Sequence, residues 1–147
     1  MENLKIKRLR ARAVLPQRAT DGSAGYDLYA CINEPLLLGA HSRVVVPTGV
    51  AIAIETNDVA AFIFARSGLG IKHGIVPSNC VGVIDSDYRG ECMVGLTNHS
   101  DVDYMIEPGE RIAQMLFMPV LLPQLIEVEA LPETFRGDGG FGSTGKG

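Results

Sequence analysis

Apolar residues in this chain come in short runs, broken at close intervals by proline or glycine. The runs rich in β-branched and aromatic residues predict strands at 4–9, 26–30, 36–38, 43–46, 49–54, 60–64, 81–84, 92–96, 104–106 and 111–117, with a last one at 125–129. Punctuation comes from Pro16, Pro35, Pro47, Pro77, Pro108, Pro119, Pro123 and Pro132. Many short strands at this spacing favour an all-β sandwich, jelly roll or barrel. One modest helix candidate lies near 56–61, where it competes with a strand reading. Segment 111–117 also passes as a helical turn or two, but Pro108-Gly109 before it and Pro119 after it argue against a long helix.

The pattern ends at residue 136. Residues 136–147 read RGDGGFGSTGKG, six glycines in twelve residues. Such a segment has almost no side chain to bury and a high backbone entropy, so on its own it should be mobile. It also carries one large aromatic, Phe141, together with cations and hydroxyls. That mixture suits a flap that orders over a ligand; a frayed terminus is the plainer alternative.

At 147 residues the chain suits one domain, which divides into a strand-rich body at 1–135 and the tail at 136–147. Hydrophobic residues make up 46% and charged residues 20%, a globular composition. The net charge of −4 gives no strong field for wrapping nucleic acid. No apolar run reaches the length of a signal peptide or a membrane span. Cys31, Cys80 and Cys92 are odd in number and form no CxxC pair, so they read as small hydrophobic residues in a reducing, cytoplasmic compartment.

Two motifs in the tail mislead. Gly137-x-Gly139-x-x-Gly142 matches a dinucleotide fingerprint, but no βαβ unit surrounds it and the chain ends before the acidic partner could appear. Gly140 to Lys146 matches most of a Walker A loop, yet Gly147 stands where Ser or Thr is needed. Both folds are rejected. Their shared physics survives, since glycine-rich backbone can turn its N–H groups toward phosphate oxygens.

Three other stretches bear chemistry. Arg66-Ser67-Gly68 can offer a guanidinium fork, a hydroxyl and a free N–H to one anion; alone, the triplet is better read as a surface turn. In residues 82–90, GVIDSDYRG, an apolar strand runs into a turn with two carboxylates, a tyrosine and an arginine. A carboxylate at a strand end can serve as general base toward water, while Asp and Ser also favour turns for local reasons, and a hairpin to 92–96 fits either reading. After the Pro108-Gly109 turn, Arg111 and Gln114 are too polar for an all-core strand and could simply face solvent.

Taken in order, residues 24–30 (AGYDLYA), 66–69 (RSGL), 82–90 (GVIDSDYRG), 109–114 (GERIAQ) and 136–145 (RGDGGFGSTG) resemble the five motifs of the trimeric dUTPase family. The resemblance runs from about residue 4 to the end, and the third and fifth motifs are the most specific. Ala65 departs from it, since the family usually has proline before the arginine.

The resemblance implies a jelly-roll-like β-barrel, assembled as a homotrimer with sites at the subunit interfaces. It implies Mg²⁺-dependent hydrolysis of dUTP to dUMP and pyrophosphate, which limits uracil in DNA and supplies dUMP for dTMP synthesis. Asp85 matches the residue that activates the attacking water, and Tyr88 the ring that excludes a ribose 2′-OH. Asn79, with backbone near Val83, Ile84 and Met93, matches the uracil-reading surface. Arg66, Ser67, Gly68 and Gln114 match phosphate-binding positions, and Arg111 one that supports the Asp85 region. In the tail, Arg136 matches a γ-phosphate partner, Phe141 a ring stacked on uracil, and Gly142, Ser143 and Thr144 donors to the terminal phosphates. Mg²⁺ would sit mainly on the phosphates and water, with Asp27 touching it through water. His41, His73 and His99 receive no role, and Lys146 reads as a solvated side chain.

Two alternatives stand beside this reading. A dCTP deaminase shares the fold but lacks this 82–90 segment and this tail. A non-catalytic regulator should have lost a catalytic group, whereas Asp27, Arg66, Asp85, Gln114, Arg136 and Phe141 are all present.

Overall fold

The computed structural model describes residues 4–139. Eleven strands and one helix follow one another along these residues: β1 (Lys5–Arg8), β2 (Tyr26–Tyr29), β3 (Leu36–Leu38), β4 (Arg43–Pro47), β5 (Val50–Ala53), β6 (Val59–Phe64), α1 (Ser67–His73), β7 (Ile75–Pro77), β8 (Gly82–Ile84), β9 (Met93–Asn98), β10 (Tyr104–Ile106) and β11 (Arg111–Pro119). All described ladders are antiparallel. They form a four-stranded sheet β2-β11-β6-β8, a three-stranded sheet β4-β9-β7, and the pairs β1-β5 and β10-β3. The result is the all-β, jelly-roll-like barrel that the strand pattern and the resemblance imply.

Alternation builds the core. In β9, Val94, Leu96 and Asn98 point inward while Met93, Gly95 and Thr97 point away. Leu28, Leu38, Val46, Val50, Leu96, Ile106, Ile112 and Met115 are fully buried between the sheets. Each large apolar side chain removed from water in this way contributes about 1.5–3 kcal/mol. Asn98 and Thr48 are fully buried polar residues; the Asn98 amide donates to the carbonyls of Leu38 and Val102, and the Thr48 hydroxyl to that of Cys92.

Four elements differ from the sequence expectation, one of them the unforeseen short strand β7. Segment 56–61 is a turn leading into β6, because pairing with β11 and β8 on both sides outweighs local helix preference. The helix lies instead at Ser67–His73, where it closes on Gly74 at φ 67°, with the Gly74 N–H bonded back to the Gly70 carbonyl. The 125–129 segment forms no strand, since no neighbouring strand of its own chain offers it a ladder. Segment 111–117, by contrast, is all strand: β11 pairs with both β2 and β6, and Gly109 at φ 77° makes the turn before it.

Candidate active site

Asp27 anchors one part of the site. It lies on β2 opposite Gln114 of β11, which in turn faces Phe64 of β6. Its side chain is nearly buried, and both carboxylate oxygens are engaged. Arg66, just beyond β6, donates its Nε–H to Oδ1 at 2.9 Å, and Arg111 donates from Nη1 to Oδ2 at 3.3 Å. Arg66 also donates to the Arg111 carbonyl at 3.2 Å. Gln114 donates its Nε2–H to the carbonyl of Ala65 at 2.9 Å and so pins the turn that carries Arg66. Gly25 makes room for that amide, because a Cβ there would fall 2.7 Å from Gln114 Oε1.

Asp27, Arg66, Ser67, Gly68 and Gln114 line one concavity of about 310 Å³. Ser23, also in its wall, is a hydroxyl the motif reading missed. The resemblance sets Arg111 in support of the Asp85 region; within one chain its carboxylate partner is Asp27.

A second concavity, of about 220 Å³, gathers Asn79, Val83, Ile84, Asp85, Tyr88 and Met93. The expected hairpin between 81–84 and 92–96 does not form as a ladder. β8 pairs with β6, and β9 pairs with β4 and β7, so the eight residues between them cross from one sheet to the other. β8 is the outer strand of its sheet, and β7 covers β9 only from Leu96 to Asn98. The β8 edge and the start of β9 therefore meet across the cavity without ladder bonds. An edge of this kind presents backbone N–H and C=O groups to a flat polar ligand. The crossing segment is tied by its own bonds. Tyr88 N–H donates to the Asp85 carbonyl at 3.1 Å, and Arg89 donates to the carbonyls of Ser86 at 2.6 Å and Tyr88 at 2.9 Å.

Glu91 and Cys92 also line this second cavity and were not singled out from the sequence. Burial, helped by the charge of Glu91, pushes the Cys92 thiol up to about 11, so it stands in the wall as a neutral group at physiological pH.

Asp85 and Arg66 stand well apart along β6, although the second concavity itself extends to Ile63. Ile84 is paired with Ala61, which sets Asp85 level with Ala60, whereas Arg66 lies six residues further on. At about 3.3 Å per residue that separation is roughly 20 Å. Among the described residues no cluster of three or more His, Cys, Asp or Glu could hold a metal ion, and no helix is long and apolar enough to cross a membrane.

The family model described as dUTPase matches residues 11–145. A deoxyuridine 5'-triphosphate nucleotidohydrolase of Albidiferax ferrireducens is 52% identical over 145 residues, covering 99% of this chain and 97% of that protein. The chain belongs to the dUTPase family. The protein of the same name from Sodalis glossinidius is 50% identical over 95% of this chain and 93% of its own length. Among solved structures, the dUTPase of Staphylococcus bacteriophage 80alpha with dUPNHPP superposes with a TM-score of 0.89 at 29% identity, covering 99% of this chain and all of that one.

In terms of the dUTPase motifs, the structure groups the first, second and fourth around Asp27 and the third around Asp85. Of the fifth, Arg136 is exposed and donates its Nε–H to the Gly139 carbonyl at 2.8 Å. Phe141, Gly142, Ser143 and Thr144 lie outside the described residues.

Proposed function

We propose that this dUTPase-family chain hydrolyses dUTP to dUMP and pyrophosphate at sites completed between the copies of a homotrimer. The observation that carries the reading is the separation of Asp85 from Arg66 along β6. A gap of roughly 20 Å is too wide for one triphosphate to meet Asp85 and Arg66 of the same copy. A neighbouring copy that sets its Asn79–Asp85–Tyr88 cavity against this chain's Asp27–Arg66–Gln114 cavity closes that gap. Further support comes from residues 120–135, where Leu121, Leu125, Leu131 and Phe135 are all more than four-fifths exposed in one chain. Apolar side chains on an extended arm suit contact with another copy.

Uracil fits the edge between β8 and β9. Its N3–H and O4 match a backbone acceptor and donor there, with the Asn79 amide reading the remaining edge. Cytosine reverses that pattern, and each buried mispair costs about 1–3 kcal/mol. Tyr88 packs under the deoxyribose and leaves no room for a 2′-OH. Asp85 orients the water that attacks the α-phosphorus and takes its proton, and pyrophosphate leaves. Arg66, Ser67, Gly68 and Gln114 hold the phosphates; a Cβ at Gly68 would meet nothing among the described residues, which leaves that face of the turn open to a ligand. Arg136, Phe141, Gly142, Ser143 and Thr144 complete the site from the 136–147 segment.

Mg²⁺ suits the donor set around Asp27. Two guanidiniums already occupy that carboxylate, so it would reach the ion through water, with phosphate oxygens as the direct ligands. Bound there, the ion supplies neutralisation of phosphate charge. The net charge of −4 and the free cysteines fit a small-molecule enzyme of the cytoplasm with no nucleic-acid or membrane partner.

The test is pyrophosphate release from dUTP with Mg²⁺, with dCTP, dTTP and UTP run in parallel and the mass of the assembly measured by sedimentation. Release from dUTP alone by a trimer supports the reading. Ammonia release from dCTP would favour a deaminase, and bound but intact dUTP would favour a regulator.

A further inference from the structure

Tyr88 is nearly half exposed, yet its ring is held in one place by two features the catalytic reading does not use. The first is Gly90. A Cβ at that position would lie 2.3 Å from the Tyr88 hydroxyl oxygen, 2.5 Å from Cζ and 3.0 Å from Cε2. The ring therefore occupies the volume a side chain at position 90 would need. Gly90 is not among the glycines with positive φ, so backbone freedom does not account for it.

The second feature is Glu91. The Tyr88 hydroxyl donates to the Glu91 main-chain carbonyl at 3.1 Å. The Glu91 side chain then fixes that carbonyl to the barrel. Its Oε1 accepts the Gly49 N–H at 2.7 Å, in the turn between β4 and β5, and its Oε2 accepts Arg10 Nη2 at 2.9 Å. The Glu91 side chain is only 15% exposed and its bond to Gly49 is partly buried, while the Arg10 end of the pair reaches solvent.

We infer that Gly90, Glu91 and Arg10 are positioning residues for sugar selection: Gly90 gives the Tyr88 ring its seat, and the Arg10–Glu91 pair holds the carbonyl to which the ring is latched. This rests on Tyr88 being the group that excludes the 2′-OH. A ring free to swing would let the ribose hydroxyl in. The β8 and β9 backbone that reads the base would be untouched, because β8 is held by its own ladder to β6 and the start of β9 by its ladder to β4. Loss of the latch should therefore weaken discrimination against UTP while leaving discrimination against dTTP intact.

The experiment measures kcat/KM for dUTP, UTP and dTTP on the full chain and on Tyr88→Ala, Gly90→Ala, Glu91→Ala, Glu91→Gln and Arg10→Met. Gly90→Ala and Glu91→Ala should each lower the dUTP/UTP preference by about tenfold, within the range a close steric contact commands. Glu91→Gln keeps an acceptor for the Gly49 N–H and should restore most of the preference. Arg10→Met should give a smaller loss in the same direction, and it keeps the test open should Glu91→Ala fail to fold. The dUTP/dTTP preference should stay constant throughout. If Tyr88→Ala admits UTP while Gly90→Ala and Glu91→Ala do not, the inference is overturned and the gate stands. An equal fall in both preferences also overturns it, because general damage then explains the effect. If Tyr88→Ala itself leaves the dUTP/UTP ratio unchanged, the gate reading is what fails.

Discussion

Arg66 donates its Nε–H to Asp27 Oδ1 at 2.9 Å, joining the turn after β6 to β2. Arg111 holds the other oxygen, so one nearly buried carboxylate orients two guanidiniums. Asp27→Asn keeps an acceptor for one of them and removes the charge that draws both. A hydrogen bond to a charged group contributes about 1.5–3 kcal/mol, so a stability loss of about 2 kcal/mol is expected, read by urea unfolding at fixed protomer concentration. Activity should fall at least tenfold, with more Mg²⁺ needed for half-maximal rate. A variant with wild-type stability and an unchanged Mg²⁺ requirement would show that Asp27 neither orients the guanidiniums nor faces the ion.

Asp85 stands at the end of β8, in the cavity wall with Tyr88 and Asn79. A group that activates water acts in the transition state far more than in the ground state. Asp85→Asn should therefore keep dUTP affinity within a few-fold and lose turnover by about 10²–10⁴. Equilibrium binding of dUTP and single-turnover hydrolysis separate the two. Normal turnover would remove Asp85 from the chemistry.

The all-β architecture was legible because each strand's apolar run is bounded by glycine, proline or a polar turn. Helix α1 was not, since Gly68 and Gly70 are poor helix formers and seven residues are too few to set a period. Nor was β7, three residues ending in Pro77. The motif residues that line the two cavities stood out in the sequence, but their grouping was not legible. Asp27 meets Arg66 across 39 residues and Arg111 across 84, distances at which local pattern says nothing. The expected 81–96 hairpin became a crossing between sheets because β8 finds its ladder on β6. Glu91 escaped notice because its side chain bonds to Gly49 and Arg10, both remote in sequence.

Residues 136–147 bring the last predicted phosphate and base contacts, while the apolar arm at 120–135 precedes them. Removing 136–147 should cut turnover by about two orders of magnitude or more, the scale set by losing a group of positioning contacts. The mass of the assembly and its unfolding midpoint should not change, because the arm and the barrel core remain. Full activity in the shortened chain would show that Arg136, Phe141, Gly142, Ser143 and Thr144 are dispensable. A drop to monomer would place the assembly contacts in the tail instead of the arm.

Tyr104 of β10 gives the fold a specific alkaline weakness. Burial raises its phenol, and the hydrogen bond to Glu110 with the charges of Glu110 and Glu107 raises it further, to about 12 from an ordinary 10.0. The native chain thus holds this proton at pH values where the unfolded chain has begun to release it. The resulting stability is fully present below pH 10 and is lost as pH rises toward 12. Lysines titrate in the same range, so the comparison must be with Tyr104→Phe, which lacks the phenol but keeps the ring against His73. Between pH 9.5 and 11.5 the urea midpoint of the variant should fall less steeply than that of the parent. Parallel curves would mean that the Tyr104–Glu110 bond does not discriminate between the two protonation states of the phenol.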